Sequence, residues 1–430
     1  MRSAALGMTV PPFCDVRGMI TAASNHRTPL AGHPLPARVA RLAWVTAAVV
    51  GVMALISCAG GATPAAGSSA AGVAASRGAS IPPPTPPRPV LPALTPEQMA
   101  GQRVIYSYAG LTPPASLLRW IRHGEAAGVI FFGGNIASTA QIASVVRELD
   151  HANAAASNPL RRYPLLLMTD QEGGIVRRLP GAPVPSEADI GSAPDPAAQA
   201  RAAGAGAGHN LAGAGLNVNL APVLDVYRAP GNFDDQYGRS YSMNPRVVAT
   251  LGANFIRSQQ ATGVAATAKH FPGLGAADAS QNTDLQPVTL DVSLPQLRAV
   301  DEFPYRKAIA AGVKLVMVSW AVYPALDASR PAGLSPAVIN GELRQRLGFT
   351  GVTITDGLEA GALQPFGGIG RRARLAAGAG MDLILCSGQR AGEGASARAA
   401  LASALGSGAL AGPAFSAALA RISALRSSLR

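Results

Sequence analysis

Three short runs place ionisable side chains directly after apolar, β-branched segments, where they would be wasteful in a core. Ala268-Lys269-His270-Phe271-Pro272-Gly273 puts a cation and an imidazole before a tight turn, and Gly351-Val352-Thr353-Ile354-Thr355-Asp356 ends on a carboxylate. Met168-Thr169-Asp170-Gln171-Glu172-Gly173-Gly174 adds two more carboxylates and a glycine pair. Carboxylates at strand ends suit nucleophilic or proton-transfer chemistry, and a neighbouring cation such as Lys269 or Arg239 would keep an attacking carboxylate ionised. The bland alternatives are a helix cap for Asp356 and a rim salt bridge for Lys269 and His270. For Asn217, Asn219 and Asp225, around a third strand, barrel-rim hydrogen bonds are the favoured role.

The elements that must position these groups form a repeating pattern. Short, continuously apolar runs alternate with helical stretches, as in βα units around a parallel sheet buried on both faces. Expected strands are 128–132, 165–169, 218–220, 264–268, 315–318, 352–355 and 383–385, with an eighth at 104–108 or near the C-terminus, where 395–429 reads as closing helix. The expected fold class is therefore α/β, a single TIM-type (β/α)8 barrel, which presents its reactive groups at the C-terminal ends of its strands. Thr95-Pro96-Glu97-Gln98 reads as a helix start and opens the folded region, expected over 95–430.

Upstream, Arg38 and Arg41 precede the apolar run 42–56, which ends in Ser57-Cys58. This resembles a bacterial lipoprotein signal over 1–57, with Cys58 as the lipidation site. The run falls short of the roughly 20 residues that cross a bilayer, which disfavours a transmembrane anchor. Residues 58–94 are rich in Ala, Gly, Ser and Pro and read as a disordered spacer. The expected location is extracytoplasmic, with membrane contact only through a lipid.

Length and composition agree with one globular domain: 430 residues, 48 % hydrophobic and 14 % charged. The net charge of +12 carries no Lys/Arg stripe interleaved with aromatics, so nucleic-acid binding is not expected. Cys386 reads as a small buried hydrophobe at a strand end. His123, His151 and His209 lack metal-ligand spacing, so neither a metal nor any other cofactor is expected. Gly204-Ala205-Gly206-Ala207-Gly208 precedes a strand instead of following one, so it reads as a tightly packed helix and not a nucleotide loop.

Taken in order, Asp170-Gln171-Glu172-Gly173-Gly174, Ala221-Pro222-Val223-Leu224-Asp225, Gly238-Arg239-Ser240, Lys269-His270-Phe271-Pro272-Gly273 and Thr355-Asp356 resemble glycoside hydrolase family 3, most closely its bacterial β-N-acetylglucosaminidases. The resemblance covers roughly 95–385, and the chain ends where many β-glucosidases of the family continue into a second domain. It implies a retaining exo-glycosidase that releases terminal β-linked N-acetylglucosamine, plausibly from peptidoglycan fragments, and acts as a monomer on a carbohydrate substrate. By position, Asp356 would be the nucleophile, and Asp170, Arg239, Lys269 and His270 would hold the sugar at the −1 position. A β-glucosidase-type specificity and a catalytically silent sugar-binding lipoprotein are the alternatives.

The chain departs from that pattern in the acid/base loop. Where those relatives carry histidines, it has Leu274 and then Ala276-Ala277-Asp278-Ala279-Ser280-Gln281-Asn282-Thr283-Asp284. Asp284 is the favoured replacement as acid/base, with Asp278 or a donor elsewhere as alternatives. Ser319-Trp320 stands where the family often has a small residue and a histidine; Trp320 would either stack on a sugar or fill the core.

Overall fold

The computed structural model describes residues 92–429. The expected leader, the lipid site Cys58 and almost all of the expected spacer lie outside the described residues. The helix Pro96–Gly101 opens with a reciprocal cap: Thr95 Oγ1 accepts from Gln98 N at 3.2 Å, and Gln98 Oε1 accepts from Thr95 N at 3.1 Å.

Eight strands follow: β1 Val104–Tyr106, β2 Gly128–Ile130, β3 Leu166–Thr169, β4 Val218–Asn219, β5 Ala265–Phe271, β6 Leu315–Val318, β7 Val352–Thr355 and β8 Ile384–Leu385. Each pairs in parallel with its chain neighbour from β1 through β7, and β1 also pairs with β8. A bridge between Ile354 and Leu383 closes the ring. This is the expected TIM-type barrel, and the eighth strand is the N-terminal candidate.

Why the strands read as unbroken apolar runs is clear from how they distribute their side chains. In β1, Val104 and Tyr106 join the layer beneath the helices while Ile105 points into the barrel with Ile130, Leu166, Met168, Val218, Leu315, Met317 and Ile354. Both faces are buried, so polar alternation would strand unpaired groups in a core.

The C-terminal segment forms two helices, Ala391–Gly406 and Gly412–Ser428, in place of a single one. Gly408 separates them at φ +76°, a conformation that side chains with a Cβ avoid. The second helix contributes Ile422 and Leu425, together with Leu429, to the barrel interior. Its Arg426 donates to the carbonyls of Tyr163 and Pro164, just before β3, and its Arg421 pairs with Asp382, just before β8. The helix therefore plugs the end opposite the strands' C-termini. The Ala/Gly run lies in the helix Pro196–Gly213, as expected. A Cβ on Gly204 would sit 2.3 Å from the carbonyl oxygen of Phe255, so glycine there permits close packing on the helix Pro245–Gln260.

Removing the plug's central side chain should be costly. Ile422→Ala is expected to lower unfolding free energy by about 2–5 kcal/mol, read from the urea midpoint at an unchanged m-value.

Candidate active site

Lys269 and His270 sit at the end of β5, where the pairing with β6 carries one extra residue. Ala268 pairs with Val316 and Phe271 with Val318, so three steps along β5 match two along β6. Such a bulge re-aims the side chains it contains. Lys269 Nζ lies 2.8 Å from Asp170 Oδ1 and 2.6 Å from Glu172 Oε1, while His270 Nδ1 lies 2.8 Å from Asp225 Oδ2. Arg239 completes the cluster through a bidentate pair, with Nε 2.8 Å from Glu172 Oε2 and Nη2 2.9 Å from Oε1.

These charges are almost wholly buried, with Lys269 at 2 % and Glu172 at 1 % exposure. Burial opposes ionisation of Glu172, yet Arg239 and Lys269 hold its carboxyl far below the usual range. Burial likewise works against the Lys269 ammonium, but Asp170 and Glu172 reverse this and raise its pKa. Glu172 is thus the hub on which the two cations meet. The sequence offered both cations as partners for Asp356; the direct ion pairs of Lys269 are with Asp170 and Glu172 instead. Nearby Glu187 accepts the N–H of Val223 at 2.9 Å, and burial, followed by the charge of Glu172, pushes its carboxyl well up.

Asp356 follows β7 and is 7 % exposed, with Oδ1 accepting the N–H of Gly357 at 2.7 Å. Trp320 is fully buried and donates its indole N–H to the Gly357 carbonyl at 2.8 Å, so it belongs to the core and braces the turn that carries Asp356.

The loop after β5 brings Asp284 to the neighbourhood of Asp356. The N–H groups of Gly361 and Ala362, in the loop after Asp356, donate to the carbonyls of Asp284 and Thr283 at 2.8 and 3.0 Å. Gly361 must lack a side chain for this, since a Cβ would lie 2.2 Å from the Leu285 carbonyl oxygen. Burial, then the charge on Asp356, pushes the Asp284 carboxyl up to about 8. Asp278, the other candidate in this loop, is exposed and accepts bonds from Ser280 within its own turn. Across the described residues, then, Asp170, Arg239, Lys269, His270, Asp356 and Asp284 converge on one end of the barrel.

Two residues were not singled out for this role. Asp225 was assigned to rim hydrogen bonding, yet it holds the His270 imidazole and the backbone N–H of Leu274. Asn219 and Asn217 do play the rim role, bonding the backbone of Gln171 and of Leu165 and Leu167. Arg178 returns through the hairpin Gln171–Gly173 with Val176–Arg177 so that its N–H donates to the Asp170 carbonyl, and its Nε is buried without a hydrogen-bond partner. The Gly173-Gly174 turn was the available signal for that return. Asp225, Asp234 and His270 each place one atom within 4.8 Å of the others, the spacing of a metal site, but both oxygens of Asp225 already accept N–H groups.

Residues 99–425 match the family model of the Glycosyl hydrolase family 3 N terminal domain. The chain belongs to glycoside hydrolase family 3. It is similar to an uncharacterized secreted glycosyl hydrolase of Arthroderma benhamiae, 47 % identical over 330 residues, which are 77 % of this chain and 93 % of the relative. A Beta-hexosaminidase of Stenotrophomonas maltophilia is 35 % identical, covering 66 % of this chain and 82 % of its own. Among solved structures, a glycoside hydrolase family 3 β-N-acetylglucosaminidase from Paenibacillus superposes at a TM-score of 0.73 with 37 % identity, over 78 % of this chain and 63 % of that one. A β-N-acetylhexosaminidase from Beutenbergia cavernae superposes at 0.66 with 31 % identity, over 78 % and 98 %. The family's barrel and this chain's barrel are thus the same fold, with the ionisable cluster at its catalytic end.

The hub carboxylate is open to a direct test. Glu172→Gln keeps the shape and removes the charge that Lys269 and Arg239 share, so unfolding free energy should fall by about 3–5 kcal/mol, measured by chemical denaturation.

Proposed function

We propose that this family 3 enzyme is a retaining exo-β-N-acetylglucosaminidase in which Asp356 is the nucleophile and Asp284 the acid/base. The observation that carries the reading is the pairing of two carboxyls with opposite protonation needs. One stands just beyond a strand end, and the other is pushed up to about 8 by burial and by the first one's charge. Asp356 attacks the anomeric carbon while Asp284 gives its proton to the glycosidic oxygen, and the aglycone leaves as an alcohol. Esterifying Asp356 removes its negative charge, which lowers the pKa of Asp284. Asp284, now ionised, takes a proton from water as that water attacks the anomeric carbon, and free sugar and both carboxyls are restored.

Asp170, Arg178, Arg239, Lys269 and His270 would hold the sugar, with Glu172 fixing the two cations. The choice of N-acetylglucosamine rests on the hexosaminidase and N-acetylglucosaminidase relatives. Muropeptide-derived substrates, a monomeric state and anchoring through Cys58 outside the cytoplasm belong to the same proposal; the lipoprotein-like 42–58 segment supports the location. Against the silent-binder alternative stands the raised Asp284 carboxyl beside Asp356, a candidate proton donor in the loop that lacks the histidine.

Two outcomes are expected on aryl and natural β-N-acetylglucosaminides. Asp356→Ala abolishes turnover, and activity surviving it would sink the mechanism. Asp284→Ala slows turnover roughly 10²- to 10⁴-fold, with azide restoring rate on activated substrates. For the wild type, the acid must be protonated, so kcat is highest below about pH 8 and falls as pH rises through that value, and Asp284→Ala loses this alkaline limb.

A further inference from the structure

We propose that Asp234 is a positioning residue for the sugar site: as a carboxylic acid it donates its proton to ionised Asp225, which in turn holds His270 with Nδ1–H inward and Nε2 facing substrate. The inference deepens the function above and rests on His270 being a sugar contact. Asp225, Asp234 and His270 are 0 %, 1 % and 6 % exposed. Asp225 Oδ1 accepts the N–H of Leu274 at 2.7 Å and faces that of His270 at 3.4 Å, while Oδ2 meets His270 Nδ1 at 2.8 Å. Burial pushes the Asp225 carboxyl up to about 6 while the N–H groups of Leu274 and His270 pull it down, so of the two acids Asp225 ionises first.

Asp234 is different. Its Oδ1 lies 3.3 Å from Arg239 Nη1, but its Oδ2 is buried and has no hydrogen-bond partner. A second bare carboxylate within 4.8 Å of the first, sealed from water, would leave two like charges facing each other and one oxygen unsatisfied. A proton on Asp234 removes both problems at once. The electrostatics agree in direction: burial, then the charge on Asp225, pushes Asp234 up to about 7, while burial, Arg239 and Lys269 push His270 down to about 4. Other charged or titratable groups that face the pair are Arg239, Asp301 with its partner Arg228, Tyr305 and Tyr323.

The consequence is a binding limb separate from the chemical one. Below about pH 7 Asp234 keeps its proton. As pH rises through that value the proton is lost, the carboxylates repel, and the hold on His270 loosens. Full-length wild-type enzyme should show KM for an aryl β-N-acetylglucosaminide rising about tenfold between about pH 6 and pH 8. Asp234→Asn supplies an N–H at every pH, so its KM should stay flat and low while the alkaline fall in kcat persists; Asp234→Ala should raise KM throughout. A wild-type KM that is flat over this range, or an Asn variant that behaves like the Ala variant, overturns the proposal. Nitrogen-15 NMR of histidine-labelled enzyme, assigned with His270→Asn, gives a readout that needs no turnover. A neutral ring protonated at Nδ1 near neutral pH supports the proposal, and a proton on Nε2 overturns it. If that pattern appears but no N-acetylglucosaminide is bound or cleaved, the Asp234 role stands and the sugar assignment falls.

Discussion

Glu172 is the constraint around which the site is arranged. A single buried carboxylate takes a bidentate bond from Arg239 and an ion pair from Lys269, and Asp170 takes a second bond from that ammonium. The segments after β3 and β4 and the end of β5 are thereby tied to one point. Charges this deep are tolerated only when each has partners of opposite sign and directional hydrogen bonds, so the side chains have little freedom to drift. The same pairing keeps both cations ionised and aimed, as recognition of sugar hydroxyls or an acetamido oxygen requires.

Around that hub the backbone does the aiming. The extra residue in β5 sends Lys269 toward Glu172 and His270 toward Asp225 although they are adjacent in the chain. Trp320 braces the Asp356 turn from below, and the carbonyls of Thr283 and Asp284 are clasped by the loop after β7. Asp356 and Asp284 are therefore carried by segments bonded to each other, so their separation does not depend on a long free loop.

Two pairs of carboxyls show one principle at work. In Asp284 beside Asp356, and in Asp234 beside Asp225, burial and then the neighbouring carboxyl's charge push the first-named acid upward. In the function proposed here the first pair would carry the proton transfer and the second would position His270. The two pairs differ in place: Asp284 and Asp356 stand on the loops after β5 and β7, whereas Asp225 lies against His270.

The sequence by itself determined the barrel, its strands and the order of the functional segments, because a strand buried on both faces must be apolar throughout and a reactive group must stand just beyond it. It also brought Asp170, Lys269, His270 and Asp356 to notice, since ionisable residues after such runs are conspicuous. Only the tertiary structure distinguishes Asp284 from Asp278, which are six positions apart in one polar loop and differ in exposure and in proximity to Asp356. It also assigned Trp320 to the core, made Glu172 the hub and linked Asp225 to His270. Those facts are distances between segments remote in the chain, and residue type and spacing carry no record of them.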